Sequence, residues 1–195
     1  MNHRFMLSTV AILTLILFSC KAPADQTAAG PPDPEPFEYA LVLHGGAGNM
    51  NFESVPEPYQ EIFKHALDSA LQLGLDVLKE DGTSIDAVEA VIRCLEDNPL
   101  FNAGTGAVFN SEGNNELDAS IMSGRDLNAG AVAGVTDIRH PISAARAVME
   151  HSEHVMMAGH GASVFAEGAG LEIVDPSYFY TEKRFESYHK AVAKD

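Results

Sequence analysis

Leu95-Glu96-Asp97-Asn98-Pro99-Leu100-Phe101-Asn102-Ala103-Gly104-Thr105-Gly106-Ala107-Val108-Phe109, followed after a short polar turn by Glu116-Leu117-Asp118-Ala119-Ser120-Ile121-Met122-Ser123, is the stretch on which the fold turns. Its first residue closes a helical pattern, because Ile85, Val88, Val91, Ile92 and Leu95 recur on one face. Thr83, with Asp86 three residues on, resembles a capping box for that helix, and Ser84 is the other candidate cap. Pro99 forbids the helix to continue. Asn102-Ala103-Gly104 then has the composition of a turn. Beyond it, Ala107 to Asn110 and Glu116 to Met122 read as paired strands around Ser111-Glu112-Gly113-Asn114.

Working outward, apolar residues recur at helical spacing from about Tyr59 to Lys79: Ile62, Phe63, Ala66, Leu67, Ala70 and Leu71, then, after a shift, Val77 and Leu78. Gly82 stops that helix. Upstream, Tyr39-Ala40-Leu41-Val42-Leu43 is a short apolar run bounded by glycines and is predicted to be a buried strand. It leads into a tight turn, His44-Gly45-Gly46-Ala47-Gly48. Downstream, Ala129 to Val135 is small and apolar, as suits a strand pressed between layers. Pro141 suits the first position of a helix over Ser143 to Glu150, and Ala162 to Gly168 predicts another short helix. After Ser177 the chain is charged and aromatic with little clear periodicity. Helices, then strands, then helices predict an α+β domain.

The 195 residues, 46% of them hydrophobic, suffice for one domain with a real core. A formal net charge of -16 and the lack of any basic stripe exclude nucleic acid as the expected partner. Residues 1–19 are a separate object: polar and basic Asn2, His3 and Arg4 precede an apolar run from Phe5 to Phe18, too short to span a bilayer comfortably and fitting an export signal. It ends in Leu17-Phe18-Ser19-Cys20, which resembles the lipobox of bacterial lipoproteins and implies lipidation at Cys20. The expected location is therefore the periplasm or cell envelope of a bacterium, with the membrane as an anchor. Residues 20–37 are rich in Pro, Ala and Asp and are expected to be an extended tether. The folded domain is expected over 38–180. With Cys20 committed to lipid, Cys94 has no disulfide partner and is expected to be a small buried apolar group.

The stretch from Leu95 to Ser123, together with His44-Gly45-Gly46-Ala47-Gly48, resembles the plant-type asparaginases, also called isoaspartyl peptidases, and the likeness extends to about Lys183. These are N-terminal-nucleophile hydrolases that cleave themselves into α and β chains. The resemblance implies an αββα sandwich, helices flanking two stacked antiparallel sheets, that is incomplete without the β half. It implies hydrolysis of L-asparagine or of β-aspartyl dipeptides through an acyl-enzyme on a threonine. That threonine opens the β half and is expected after Asp195, so no nucleophile is expected in this chain, and 181–195 is expected to begin the processing linker. Residue by residue, the likeness implicates main-chain oxygens of Leu95, Glu96, Asn98, Phe101, Ala103 and Thr105 as ligands of a structural sodium ion. It puts Asn102 near the nucleophile, and His44, Gly45 and Gly46 beneath the active site. No other cofactor is implied. The expected partners are the β half, a small-molecule substrate and a second αβ unit in an (αβ)2 assembly. The rival expectation is non-catalytic: a truncated fragment, or a lipoprotein that uses the half-fold for binding.

Other motifs carry less. The glycines after His44 lack the ending of a P-loop and the full dinucleotide fingerprint. His140, His151, His154 and His160 match no zinc spacing and read as residues of polar helix faces. Gly161-Ala162-Ser163-Val164-Phe165 lacks the last glycine of a nucleophile elbow. Thr181 lacks a preceding glycine and a following strand, so it is no nucleophile candidate. Glu116 and Asp118 fall on one strand face without an acid/base partner, and Asp118 is expected to be a buried structural carboxylate.

Overall fold

The computed structural model describes residues 38–46 and 55–193. The expected export signal, Cys20 and the expected tether lie outside the described residues, as do Ala47, Gly48 and Asp195. The unit described begins at Tyr39. Helix α1 runs Glu57–Lys79 and α2 runs Ser84–Glu96. A 3-10 turn at Gly104–Gly106 follows, then strands β1 (Leu117–Met122) and β2 (Ala129–Val135). Helix α3 (Pro141–His151), strand β3 (Met157–Ala158), helix α4 (Gly159–Gly168), a 3-10 turn at Pro176–Phe179 and helix α5 (Glu182–Val192) complete it. The architecture is α+β, with one sheet among the described residues, ordered β1-β2-β3, antiparallel then parallel.

Local signals act as expected at several boundaries. Thr83 Oγ1 accepts the Asp86 N–H while the Asp86 carboxylate accepts the Thr83 N–H, a reciprocal capping box. Pro141 is the first residue of α3. Helix α3 lies against β2 so closely that a Cβ on Gly130 would overlap the Ala145 carbonyl, which is why that strand is built of small residues. The main core gathers Leu117, Val132, Val135, Ile138, Val148 and Phe179 around this contact. Each such side chain contributes roughly 1.5–3 kcal/mol over its exposed state. A second cluster, Ala70, Val91, Leu95 and Phe101, holds α1, α2 and the following loop together.

Four expectations are corrected. Tyr39 to Leu43 is not a strand: Leu41 and Leu43 pack on the second cluster while Val42 is 92% exposed, so the two-residue alternation is present, but among the described residues no strand pairs with it. Ala107 to Asn110 does not pair as a strand with Glu116 to Met122 beyond a single bridge, Phe109 to Asn115. There the side chains take the bonds a ladder would use: Asn115 Nδ2 donates to the carbonyls of Ala107 and Val108, and Asn110 Oδ1 accepts the N–H of Glu112 and Asn114. The partner of β1 is β2 instead. Asp118 is exposed rather than buried; its Oδ1 accepts the Gly134 N–H at 2.8 Å where the register shifts between Leu117 and Ala119 and Gly134 takes a φ of 59°.

The fourth correction concerns the stretch after Ser177, which forms helix α5. Its two inward aromatic groups, Phe185 and Tyr188, are spaced three residues apart, and ring contacts seat them on Phe109 at 5.6 and 5.8 Å. The anchor is aromatic rather than aliphatic, which hid the period in a segment otherwise charged. Among the described residues, no helix is long and apolar enough to cross a membrane.

Candidate functional site

The segment from Leu95 to Phe109 is held from below, from within and from the side. Below it, Phe101 is 5% exposed and meets Phe63 of α1 edge to face, ring centroids 6.0 Å apart, so the middle of the loop is pinned into the second cluster. Within it, Asn98 closes the end of α2: its N–H donates to the Leu95 carbonyl at 3.1 Å, and its Oδ1 accepts the Leu100 N–H at 3.1 Å. Phe101 N–H donates to Asn98 O at 3.2 Å, and Gly106 N–H to Ala103 O at 2.9 Å. Thr105 Oγ1 reaches back to the Glu96 carbonyl at 3.2 Å. From the side, Arg184 Nε of α5 donates to the Gly106 carbonyl at 2.7 Å.

Two glycines make this path feasible. Gly104 has a φ of 48°, and a Cβ there would overlap the Glu96 carbonyl; a Cβ on Gly106 would overlap the Phe101 carbonyl and stand 2.9 Å from that of Pro99. Backbone carbonyls therefore crowd the glycine turn as side chains could not. That donor set, neutral oxygens drawn in by the fold, suits a hard cation. The carbonyls of Glu96, Asn98 and Ala103 each accept one bond, and a carbonyl oxygen has a second lone pair. The residues present thus fit a sodium ion in the chemistry of their oxygens.

Asn102 stands exposed at the crest of the loop, and its Oδ1 accepts the Val108 N–H at 2.9 Å. Its amide nitrogen makes no hydrogen bond among the described residues. His44 is exposed, and its Nδ1 accepts the Gly46 N–H at 3.1 Å, which assigns the proton of the neutral ring to Nε2. Gly45 faces Leu67, whose side chain would stand 3.1 Å from a Cβ. Leu41, Leu43, Leu67, Leu95 and Phe101 belong to one cluster, so the His44 turn and the Asn102 loop share a foundation. Among the described residues, no hydrogen bond joins the two.

The Glu96 side chain was not singled out in the sequence. It is 3% exposed; Oε1 accepts the Ile142 N–H at 3.0 Å, and Oε2 lies 3.1 Å from His140 Nδ1. Burial raises its carboxyl above the usual range, and the bonds from His140 and Ile142 oppose that rise. His140 is 8% exposed at the N-cap of α3, not on a polar helix face, whereas His151, His154 and His160 are exposed. Its other ring nitrogen lies 3.8 Å from Asp97, which is joined in turn to Arg139 at 3.4 Å. The only early signal was negative: a glutamate placed on the apolar face that ends α2. Cys94 is half-buried, and burial pushes its thiol up, as befits an inert packing group.

The remaining candidates stay apart from this loop. Ser163 is buried in α4 and donates to Asp137, without a histidine to activate it. Thr181 is the N-cap of α5. Among the described residues, no cluster of His, Cys, Asp and Glu could hold a metal ion.

Comparison with known proteins places the whole described unit in one family. The family described as Asparaginase matches residues 37–195. A Dictyostelium discoideum relative named for both isoaspartyl peptidase and L-asparaginase is 48% identical over 151 residues, covering 77% of this chain and 44% of the relative. The isoaspartyl peptidase of Escherichia coli is 44% identical over 146 residues, covering 75% of this chain and 46% of its own. The plant-type L-asparaginase of Pyrococcus furiosus is 44% identical over 151 residues, covering 77% and 48%. The chain thus spans about half the length of these relatives. With the family matched over residues 37–195, the chain belongs to the asparaginase family.

Proposed function

We propose that this chain is the α portion of an exported asparaginase or isoaspartyl peptidase. It would hydrolyse the side-chain amide of L-asparagine or a β-aspartyl peptide bond. The observation that carries the reading is the Leu95–Phe109 segment, which is folded so that Asn102 stands exposed on a backbone held by Phe101, Thr105 and two glycines. Relatives over that segment are named for these two activities.

The nucleophile is a threonine freed by self-cleavage in a β half that follows this sequence. An N-terminal threonine combines a hydroxyl nucleophile with an amine base in one residue. The two halves complete an αββα sandwich, and two αβ units pair. In this reading His44, Gly45 and Gly46 line the floor of the site, and the amide of Asn102 faces the nucleophile. The carbonyls of Leu95, Glu96, Asn98, Phe101, Ala103 and Thr105 would hold a sodium ion, which supplies a fixed charge that keeps the loop's carbonyls in one arrangement. The chain's own bonds, Thr105 to Glu96 and Asn98 to Leu100, set the loop's path in the same sense. A lipid on Cys20 and the Pro-rich tether would hold the enzyme at a bacterial cell-envelope membrane.

Expression of the complete reading frame tests this. Two chains should appear, the second beginning with threonine, and L-asparagine or a β-aspartyl dipeptide should yield aspartate. An uncleaved product that leaves both substrates intact would refute the proposal.

A further inference from the structure

Helix α3 begins without a cap of its own. Its N-cap, His140, makes no side-chain bond to the first turn, and Pro141 brings no N–H. The Ile142 N–H is met from 46 residues away, by the buried carboxylate of Glu96. A carboxylate this far from water is kept only with partners, and Glu96 has two, Ile142 N–H and His140. The same residue faces the loop with its main chain: its carbonyl accepts Thr105 Oγ1 at 3.2 Å and borders Gly104. Helix α3 is in turn packed on the β1–β2 pair through Ala145 and Gly130. One residue thus links the loop that bears Asn102 to the closely packed contact of α3 with β2.

We propose that the Glu96 carboxylate is a positioning residue for the Asn102 loop: by fastening the end of α2 to the start of α3, it fixes the backbone of residues 97–106 and so the direction in which Asn102 points. This rests on the hydrolase reading for its functional consequence, and on geometry alone for its structural one. Glu96 touches no substrate in this account. It acts through the backbone it shares with the loop.

The test compares Glu96→Ala and Glu96→Gln in the protein expressed from its complete reading frame. Gln keeps an oxygen for the Ile142 N–H, and Ala does not. In Glu96→Ala, hydrogen exchange of the loop amides, Gly106 and Val108 among them, should quicken by about tenfold or more while β1 and β2 amides change by less than about threefold. Glu96→Gln should return the loop to within about threefold of the original protein. In Glu96→Ala, kcat for the preferred substrate should fall by about tenfold or more with KM within about threefold, as for a misaimed catalytic group.

Unchanged loop exchange in Glu96→Ala overturns the proposal. So does equal loss of protection in loop and sheet, which would make Glu96 a general fold residue. Should Glu96→Ala not fold, Glu96→Asp, which keeps the charge but shortens the reach to the Ile142 N–H and His140, must quicken exchange in the loop and not in the sheet. If the original protein hydrolyses neither substrate yet the exchange pattern appears, the hydrolase reading fails while the positioning of the loop stands.

Discussion

Arg184 Nε donates to the carbonyl of Gly106 at 2.7 Å, joining positions 78 residues apart. The contact ties the last helix to the glycine turn at the candidate active site, and rings of Phe185 and Tyr188 on Phe109 lie beside it. Helix α5 carries a polar outer surface and has no fully buried residue, so a few contacts hold it in place.

Arg184→Ala should therefore loosen α5 more than it lowers global stability. A charged donor to a half-buried carbonyl contributes about 1 kcal/mol once solvent screening is allowed for. Limited trypsin digestion at Lys183 and Lys190 should become several-fold faster, with the thermal midpoint lowered by only a few degrees. Digestion at the original rate would mean that the aromatic contacts alone seat the helix.

Gly104→Ala should be among the most damaging single-methyl additions in the chain. It combines a left-handed backbone, costing about 1–2 kcal/mol for any L side chain, with overlap on the Glu96 carbonyl. A loss of about 2–4 kcal/mol by urea unfolding is expected. Gly124→Ala, where a Cβ meets open space, should stay within about 0.5 kcal/mol.

Asn102 separates structure from chemistry through two substitutions. Asn102→Ala removes the acceptor for the Val108 N–H and should cost about 0.5–1 kcal/mol at this exposed position. Asn102→Asp keeps the acceptor but loses the amide N–H2. If that nitrogen serves the reaction, both variants of the complete protein should lose at least about tenfold in kcat, while only the alanine variant loses stability. Full activity in Asn102→Asp would confine Asn102 to its bond with Val108.

The capping box at α2 predicts a pH dependence. Bonds from the Thr83 side chain and backbone, then Arg146, hold the Asp86 carboxyl below its usual value of 3.8. A lowered folded-state value means that the stabilisation is complete above about 3.8, the unfolded-state value, and fades as pH falls through the folded-state one. Asp86→Ala should cost about 0.5–2 kcal/mol near neutral pH, as for loss of a cap. Its deficit relative to the original protein should shrink when urea unfolding is repeated below pH 3.8. A deficit constant over the whole range would detach Asp86 from the capping role.

Features set by neighbours within a few residues were legible directly. The Thr83–Asp86 box, the halt at Pro99, the start of α3 at Pro141 and the turn around Asn102 depend on backbone groups that the same short segment supplies. Period alone was a weaker guide. Leu41 and Leu43 alternate with Val42 as a strand would, yet strand formation needs a partner for the ladder, which no local pattern contains. The hairpin assigned around Ser111 failed for a related reason, since Asn110 and Asn115 offered the backbone side-chain partners and left β1 free to pair with β2.

The sequence by itself determined the family, the α+β class and the loop that bears Asn102, because these reside in contiguous residue types and short spacings. Only the tertiary structure decided that Glu96 caps a helix 46 residues away, that His140 is buried against it, and that Arg184 reaches Gly106. Those pairings join groups whose separation along the chain carries no information about their separation in space. A buried carboxylate must find a donor and a crowded carbonyl can accept one, but which donor arrives is settled by how α2, α3 and α5 pack.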